Sequence, residues 1–332
     1  MLQRMVEPSP IRAAELVSAH ITISDEVGGY AAALSRAHLD VVRTGEGCGP
    51  NTLATESFDD AQMFAGLIQF PVIGRTIIND GIIAAALIVR APKGTRWCEI
   101  DVSPGDLLLY GPGAEHIGVS PVGVEYRFAL IDLSAVGLVA EELQIRADHP
   151  ARGSITRTSP SAAGRVLRSE LLSIGKPSGR LGNPRTTSVR LMRATAQLLA
   201  DTSPSPTRRR ACHVSSRRIV NASIDYSDRI EGRPSIAELC TVAHVSQRRL
   251  REAFYDTFDM SPMSFLRTRQ LSYARERLLT GEQRVTEVAL DLGFDHLGRF
   301  AAQYADIYGE HPSNTLATAR AGARPDAASS GT

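Results

Sequence analysis

The chain has 332 residues, 43% of them hydrophobic, and its 37 Lys plus Arg nearly balance 36 Asp plus Glu. That length allows two domains with separate cores; the net charge of +1 alone argues nothing, but the surplus of three positive charges over 207–320 is too little for a protein that packs DNA without sequence preference. The longest apolar run, residues 81–89, is too short to cross a membrane, the first residues lack a signal-peptide pattern, and Cys48, Cys98, Cys212 and Cys240 form no CxxC pair, so a cytoplasmic chain with reduced thiols is expected.

Residues 1 to about 130 read as short strands. "AHLDVV" (37–42) has the pattern of a half-buried strand, "GLIQF" (66–70) is a second candidate, and Asp80-Gly81 marks a turn before "IIAAALIV". "TRWCEIDV" alternates, so that one strand would carry Trp97, Glu99 and Asp101 on one face. Turns at 103–106 and 111–113 then bracket "LLLY", and "VEYRFALIDL" follows as a further strand. Strands this short, with Gly and Pro between them, predict a sandwich or barrel. The period then changes. "SAVGLVAEELQIRA" (134–147) predicts a short helix, and 162–174 and 186–199 predict amphipathic helices separated by a Gly- and Pro-rich loop at 175–184. These helices suit a cover for the sheet and an interface between two copies of the chain. "DTSPSPTRRR" (201–210) has the composition of an extended linker.

The stretch 236–312 is one unit written twice. Ile236, Leu239, Cys240 and Val245 recur as Val285, Val288, Ala289 and Phe294, 49 residues on. Leu250, Phe254, Phe258, Asp259 and Pro262 recur as Phe300, Tyr304, Tyr308, Gly309 and Pro312, 50 residues on. Nine positions that share a spacing with one slip indicate a duplicated supersecondary unit. Each copy reads as a short helix, a tight turn and a second helix. Ser235 with Glu238 makes a capping box, Ser246 caps the second helix, and Gly293 suits the second turn. Gln247, Arg248, Arg249 and Arg251 fall on the outer side of the first reading helix, and His296, Arg299 and Gln303 on the second. Arg can bond guanine and Gln adenine through paired hydrogen bonds, so these residues are the candidate DNA contacts. Ser261-Pro262 starts a helix that joins the copies. It carries Leu271, Ala274 and Leu278 inward and ends at Gly281. From Thr207 to Arg320 there are 17 Arg and 14 Asp plus Glu, a surplus of three positive charges that suits DNA.

The repeat, together with Ser261-Pro262, Arg269-Gln270-Leu271, Ala274, Leu278-Leu279, Gly293-Phe294, Gly309 and Pro312, resembles the DNA-binding domain of the AraC/XylS family of bacterial transcription regulators. "GFDHLGRFAAQY" and "YGEHPSNTL" are closest to the branch that includes regulators of aromatic-acid degradation. Four positions depart from the family. His244 stands where it has glycine in the first turn, Asp259 where it has glycine after the first reading helix, which is therefore expected to end less cleanly, and Thr315-Leu316 replaces an aromatic-Arg pair. The run 105–116, "GDLLLYGPGAEH", resembles the second motif of a cupin barrel, but the companion His-x-His of metal-binding cupins is missing, which leaves His116 alone.

The resemblance implies an α+β two-domain chain: a cupin-like β-barrel with flanking helices for effector binding and dimerisation (1–200), a linker (201–212), an all-α double helix-turn-helix DNA-binding domain (213–319) and a disordered tail (320–332). It implies a sequence-specific transcription regulator that is not an enzyme, needs no metal or cofactor, and forms a homodimer. Its partners would be promoter or operator DNA, a small organic effector and, for an activator, RNA polymerase, in the cytoplasm and on the nucleoid. Arg90, Trp97, Tyr110, His116 and Arg127 are the candidate effector contacts, an inward Arg suiting an aromatic carboxylate. The alternative is a cupin-type enzyme with an appended DNA-binding domain.

Overall fold

A computed structural model describes residues 20–24, 34–97, 100–147, 150–174, 184–201, 211–230 and 233–322. By contact density the chain divides into two units, one of residues 1–41 and 47–207, the other of 42–46 and 208–332.

The first unit is sheet-rich. Its strands are β1 (His20–Ser24), β2 (Ala37–Arg43), β3 (Asn51–Ser57), β4 (Ala61–Leu67), β5 (Val72–Ile78), β6 (Ile82–Arg90), β7 (Arg96–Trp97), β8 (Ile100–Asp101), β9 (Leu107–Tyr110), β10 (Glu115–Ser120), β11 (Glu125–Asp132) and β12 (Ile155–Arg157). They form a seven-stranded sheet, β1-β3-β4-β11-β6-β9-β12, and a five-stranded sheet, β2-β5-β10-β7-β8. The two sheets are separate in their hydrogen bonding rather than closed into one barrel. Three helices follow: α1 (Leu133–Glu142), α2 (Ala162–Leu172) and α3 (Pro184–Asp201).

Alternation along β6 explains the layering. Ile83, Ala85 and Leu87 join one core with residues of all three helices, such as Val136, Leu167 and Leu191. Ile82, Ala84, Ala86 and Ile88 join a second core, between the sheets, with Phe64, Ile78 and Tyr110. A strand buried on both faces has to be apolar throughout, and "IIAAALIV" is.

Two strand predictions are corrected. "TRWCEIDV" is not one strand: Arg96 pairs with Asp101 and Trp97 with Ile100, antiparallel, so the segment doubles back. "GLIQF" begins inside β4, which ends at Leu67. Helix α1 ends at Glu142, short of the predicted 147. The predicted loop at 175–184 and linker at 201–210 lie outside the described residues apart from Pro184 and Asp201, which are helical.

The second unit is helical: α4 (Ala211–Ser227), α5 (Ile236–Ala243), α6 (Gln247–Phe258), α7 (Pro262–Leu279), α8 (Val285–Asp291), α9 (Leu297–Tyr308) and α10 (Pro312–Gly322). The predicted tail begins within α10 at Arg320 and leaves the described residues after Gly322. The duplication extends to the caps. Ser235 and Glu238 cap α5 reciprocally, and 49 residues on the Glu287 carboxylate accepts the Arg284 backbone N–H. His244 turns left-handed after α5 (φ 52°), as Gly293 does after α8 (φ 76°). Asp259 takes φ 59° at the end of α6, matching Gly309 at φ 72°. The first reading helix therefore ends as cleanly as the second. His and Asp are among the residues that tolerate this conformation, at some cost in strain. The slip in the repeat is also placed: Ser246 and His296 are both N-caps, 50 apart, so the added residue is Asp295.

Candidate nucleic-acid interface and ligand cavity

The reading helices are held by aromatic cores of the same plan. Phe254, Phe258 and Phe265 pack together under α6, with Phe258 stacked on Phe265 at 4.4 Å. Phe300, Tyr304 and Tyr308 pack under α9. The connector α7 contributes Phe265 and Leu266 to the first core and Leu271, Ala274 and Leu278 to the second. Two of its arginines are buried as struts. Arg269 pairs with Asp228 of the loop after α4 at 2.9 Å. Arg275 pairs with Glu310 at 2.9 Å, reaches the Tyr304 hydroxyl at 3.2 Å and lies over the Tyr308 ring at 4.5 Å. Burial raises the Tyr304 pKa, and its hydroxyl also meets Thr315 Oγ1 at 2.8 Å.

With their inner faces fixed, α6 and α9 present their outer faces to solvent. Gln247, Arg248, Arg251 and Tyr255 are exposed on α6. Arg248 is not idle: its Nε donates to Glu252 Oε1 at 2.9 Å across one helical turn. This bond holds the Glu252 carboxyl below its ordinary range and raises the Arg248 pKa. Arg249 is corrected from the outer face. Its guanidinium donates to Ser216 of α4 at 2.9 Å and neighbours Glu252 and Asp256. It follows Arg248 around the helix toward the side that α4 covers, so it braces α6 instead of facing out.

On α9 the same sequence position is Arg299, which is exposed. Arg251 and Arg299 form no ion pair among the described residues. His296 is exposed as the N-cap, and Gln303 is half-buried beside Tyr304. The outward centre of α9 is Gly298 and Ala302, both exposed and short. The sequence reading missed these two, and also Glu252 and Tyr255. The signal was available, because Gly298 and Ala302 stand 50 residues after Arg248 and Glu252.

In the first unit a cavity with about 120 Å³ of space for water-sized molecules opens between the sheets. Trp97 and His116 line it, as do Phe64, Tyr126 and Phe128. Tyr110 stands behind His116, its hydroxyl 3.2 Å from His116 Nδ1. Arg127 does not line the cavity: it alternates with Tyr126 and Phe128 on β11 and is buried against Glu125, 3.0 Å away. Arg90 lies 3.6 Å from the same carboxylate and is also outside the lining. Burial pushes the Tyr126 phenol up to about 12, partly offset by Arg127, so it is neutral. Among the described residues no group of three or more His, Cys, Asp and Glu could hold a metal ion, and no helix is long and apolar enough to cross a membrane.

Comparison with known proteins bears on the second unit. A family model for a helix-turn-helix domain matches residues 239–318. The XylDLEGF operon transcriptional activator 2 of Pseudomonas putida is 42% identical over 85 residues, 25% of this chain and 54% of that one. The probable thc operon regulatory protein of Rhodococcus erythropolis is 34% identical over 104 residues, 30% of this chain and 31% of that one. The match thus spans about half of the first relative's length and under a third of the second's. A solved structure of a probable AraC family transcriptional regulator from Rhodopseudomonas palustris is 35% identical, covering 32% of this chain and 98% of that one, with a TM-score of 0.30.

Proposed function

Starting from the premise that the chain belongs to the AraC/XylS family of transcription regulators, we propose that it binds operator DNA in a sequence-specific way under the control of a small organic effector. The observation that carries the reading is the pair of outward faces on α6 and α9, set on one helical connector with its buried ion pairs. Two such helices enter successive major grooves on one face of the duplex, roughly 10 base pairs apart. Arg248 and Arg251 read bases from α6 with help from Gln247. Arg299 anchors α9, with His296 and Gln303 as lesser contacts. Selection of binding sites from random duplex DNA tests this directly. A pair of short preferred elements one helical turn apart is the expected result, and a preference-free pool would end the reading.

The first unit is the controller. Its sandwich follows a cupin-like plan, and the cavity holds the effector. The faces of α2 and α3 make a homodimer, which would set two DNA-binding domains on a repeated site and raise their effective concentration. Exposed Val166 and Val189 on these helices support that role. Sedimentation of residues 1–200 is expected to give a dimer at tens of micromolar, a roughly 1 μM affinity scale; a monomer there removes the interface. The setting is cytoplasmic and nucleoid-bound, RNA polymerase is the further partner if the output is activation, and the chain does no chemistry of its own.

A further outcome concerns Glu252. Its carboxylate sits on the reading face and ties up Arg248. Glu252→Ala is expected to raise affinity for DNA of any sequence several-fold and to steepen the salt dependence by about one unit, since one more cation reaches phosphate. Folding stability would change little, as for other exposed pairs one turn apart. If affinity falls and preference at one base pair relaxes, Glu252 is itself a base contact and the restraint on Arg248 is incidental.

A further inference from the structure

The cavity owes its existence to a pair of glycines. Gly74 of β5 and Gly118 of β10 are directly opposed in the five-stranded sheet, and both line the cavity. Glycine within a strand is costly, because it gives up backbone freedom without packing a side chain, and it commonly marks a place where something else approaches the backbone. A Cβ on Gly74 would meet only a Val41 methyl at 3.9 Å, so the space above it is open. A Cβ on Gly118 would come within 2.8 Å of His116 Nε2 and 3.2 Å of Trp97 Cδ1, so the bare backbone there lets those two rings lie against the wall. Trp97 stands edge-on to His116 at 5.0 Å and to Tyr126 at 5.6 Å.

Among the described residues no Asp, Glu, Lys or Arg lines this space. The nearest sequence candidates for an anion's partner, Arg90 and Arg127, share Glu125 outside it, and Arg75 pairs with Glu115. Asn51, Trp97, Ser120 and His116, four of the polar lining residues, bond to the protein. The Asn51 side chain accepts the Gln69 and Phe70 backbone N–H groups, the Trp97 indole donates to Ser120 Oγ, and His116 meets Tyr110. A carboxylate entering here would lose its hydration without gaining a cation. A cavity of roughly 150 Å³ lined by Leu, Ile and Phe stays dry and accepts benzene, and about 120 Å³ is on that scale.

We infer that the cavity takes an uncharged, ring-sized organic molecule and discriminates against the corresponding carboxylate. This rests on the effector reading above and replaces its aromatic acid with a neutral aromatic.

Trp97 is the chain's single tryptophan, so the protein carries its own reporter at the site. The experiment titrates the full chain at neutral pH with benzyl alcohol and with benzoate, following Trp97 emission and thermal midpoint. Benzyl alcohol is expected to shift the emission saturably and raise the midpoint, with benzoate weaker by roughly a hundredfold, the penalty of burying an unpaired charge. Gly74→Leu, which projects into the space, is expected to abolish the response while keeping wild-type circular dichroism. Gly74→Ala, which has room for its methyl, is expected to fold as wild type and weaken binding less. Benzoate binding as tightly as benzyl alcohol at neutral pH would overturn the inference in favour of an anion held in the cavity, and would leave the effector reading standing. A folded Gly74→Leu that binds normally would move the site elsewhere. If neither compound perturbs Trp97, both the neutral-ligand inference and this cavity's role as effector site fall together.

Discussion

Replacing Arg275 with methionine is expected to destabilise the second helix-turn-helix by about 3 kcal/mol, enough to abolish operator binding at moderate temperature. The Arg275 side chain is only 10% exposed and satisfies three neighbours at once: the Glu310 carboxylate, the Tyr304 hydroxyl and the Tyr308 ring. Methionine keeps most of the packing volume but leaves Glu310 beside a low-dielectric wall. Glu310 is 32% exposed and keeps some water, which puts the cost at the lower end of the usual 3–5 kcal/mol or so for breaking a buried pair. Urea unfolding followed by circular dichroism measures it. Adding Glu310→Leu should restore part of the loss, because the orphaned charge is then gone. A single-variant loss below about 1 kcal/mol would mean that Arg275 is held by packing alone.

Arg299→Ala is expected to weaken DNA binding by roughly fivefold to thirtyfold, about 1–2 kcal/mol, with little change in stability. The physical basis is its isolation. Its counterpart in the first copy, Arg249, is spent on Ser216 and the acids of α6, whereas Arg299 has no ion-pair partner among the described residues and is exposed. It also flanks the short-residue centre of α9 formed by Gly298 and Ala302. A guanidinium at the edge of a reading face meets phosphate, which fixes position and carries no sequence information. Affinity should therefore fall by a similar factor for all sequences, and the salt dependence should become shallower by about one unit. Binding assays against the selected site and single-base variants, at two salt concentrations, decide it. Loss confined to one base pair would make Arg299 a base reader, and no loss would mean that α9 is not docked through this edge.

The helical half was legible in the sequence because its instructions are local and stated twice. Caps at Ser235, Ser246 and Ser261, the glycines at 293 and 309, and the aromatic rows all fall where the structure uses them. Arg249 was misplaced because nothing in α6 announces that α4 lies against that side. The sheet-rich half was less legible. Trp97 and Asp101 sit in separate strands, although their alternation suits a single one. Strands β3, β5 and β10 carry Thr, Gly and charged residues that obscure their period. A register shift between Glu125 and Tyr126 also hides which side of β11 Arg127 faces. The cavity itself has no local signature, since Gly74 and Gly118 mean nothing until strands 44 residues apart are paired.

The connector α7 has a mechanical consequence. It is 18 residues of unbroken helix, about 27 Å long at 1.5 Å per residue, pinned by Phe265 near its start, by Arg269 at its middle and by Arg275 toward its end. It behaves as a gauge block between the reading helices, stiff in both length and twist. Each base pair inserted between the two DNA elements would displace and rotate one of them about the duplex axis, and no soft joint in α7 can follow. Under the proposed function, operators are thus constrained in phase as well as in sequence, and a change in their spacing is tolerated less than a change at most single bases.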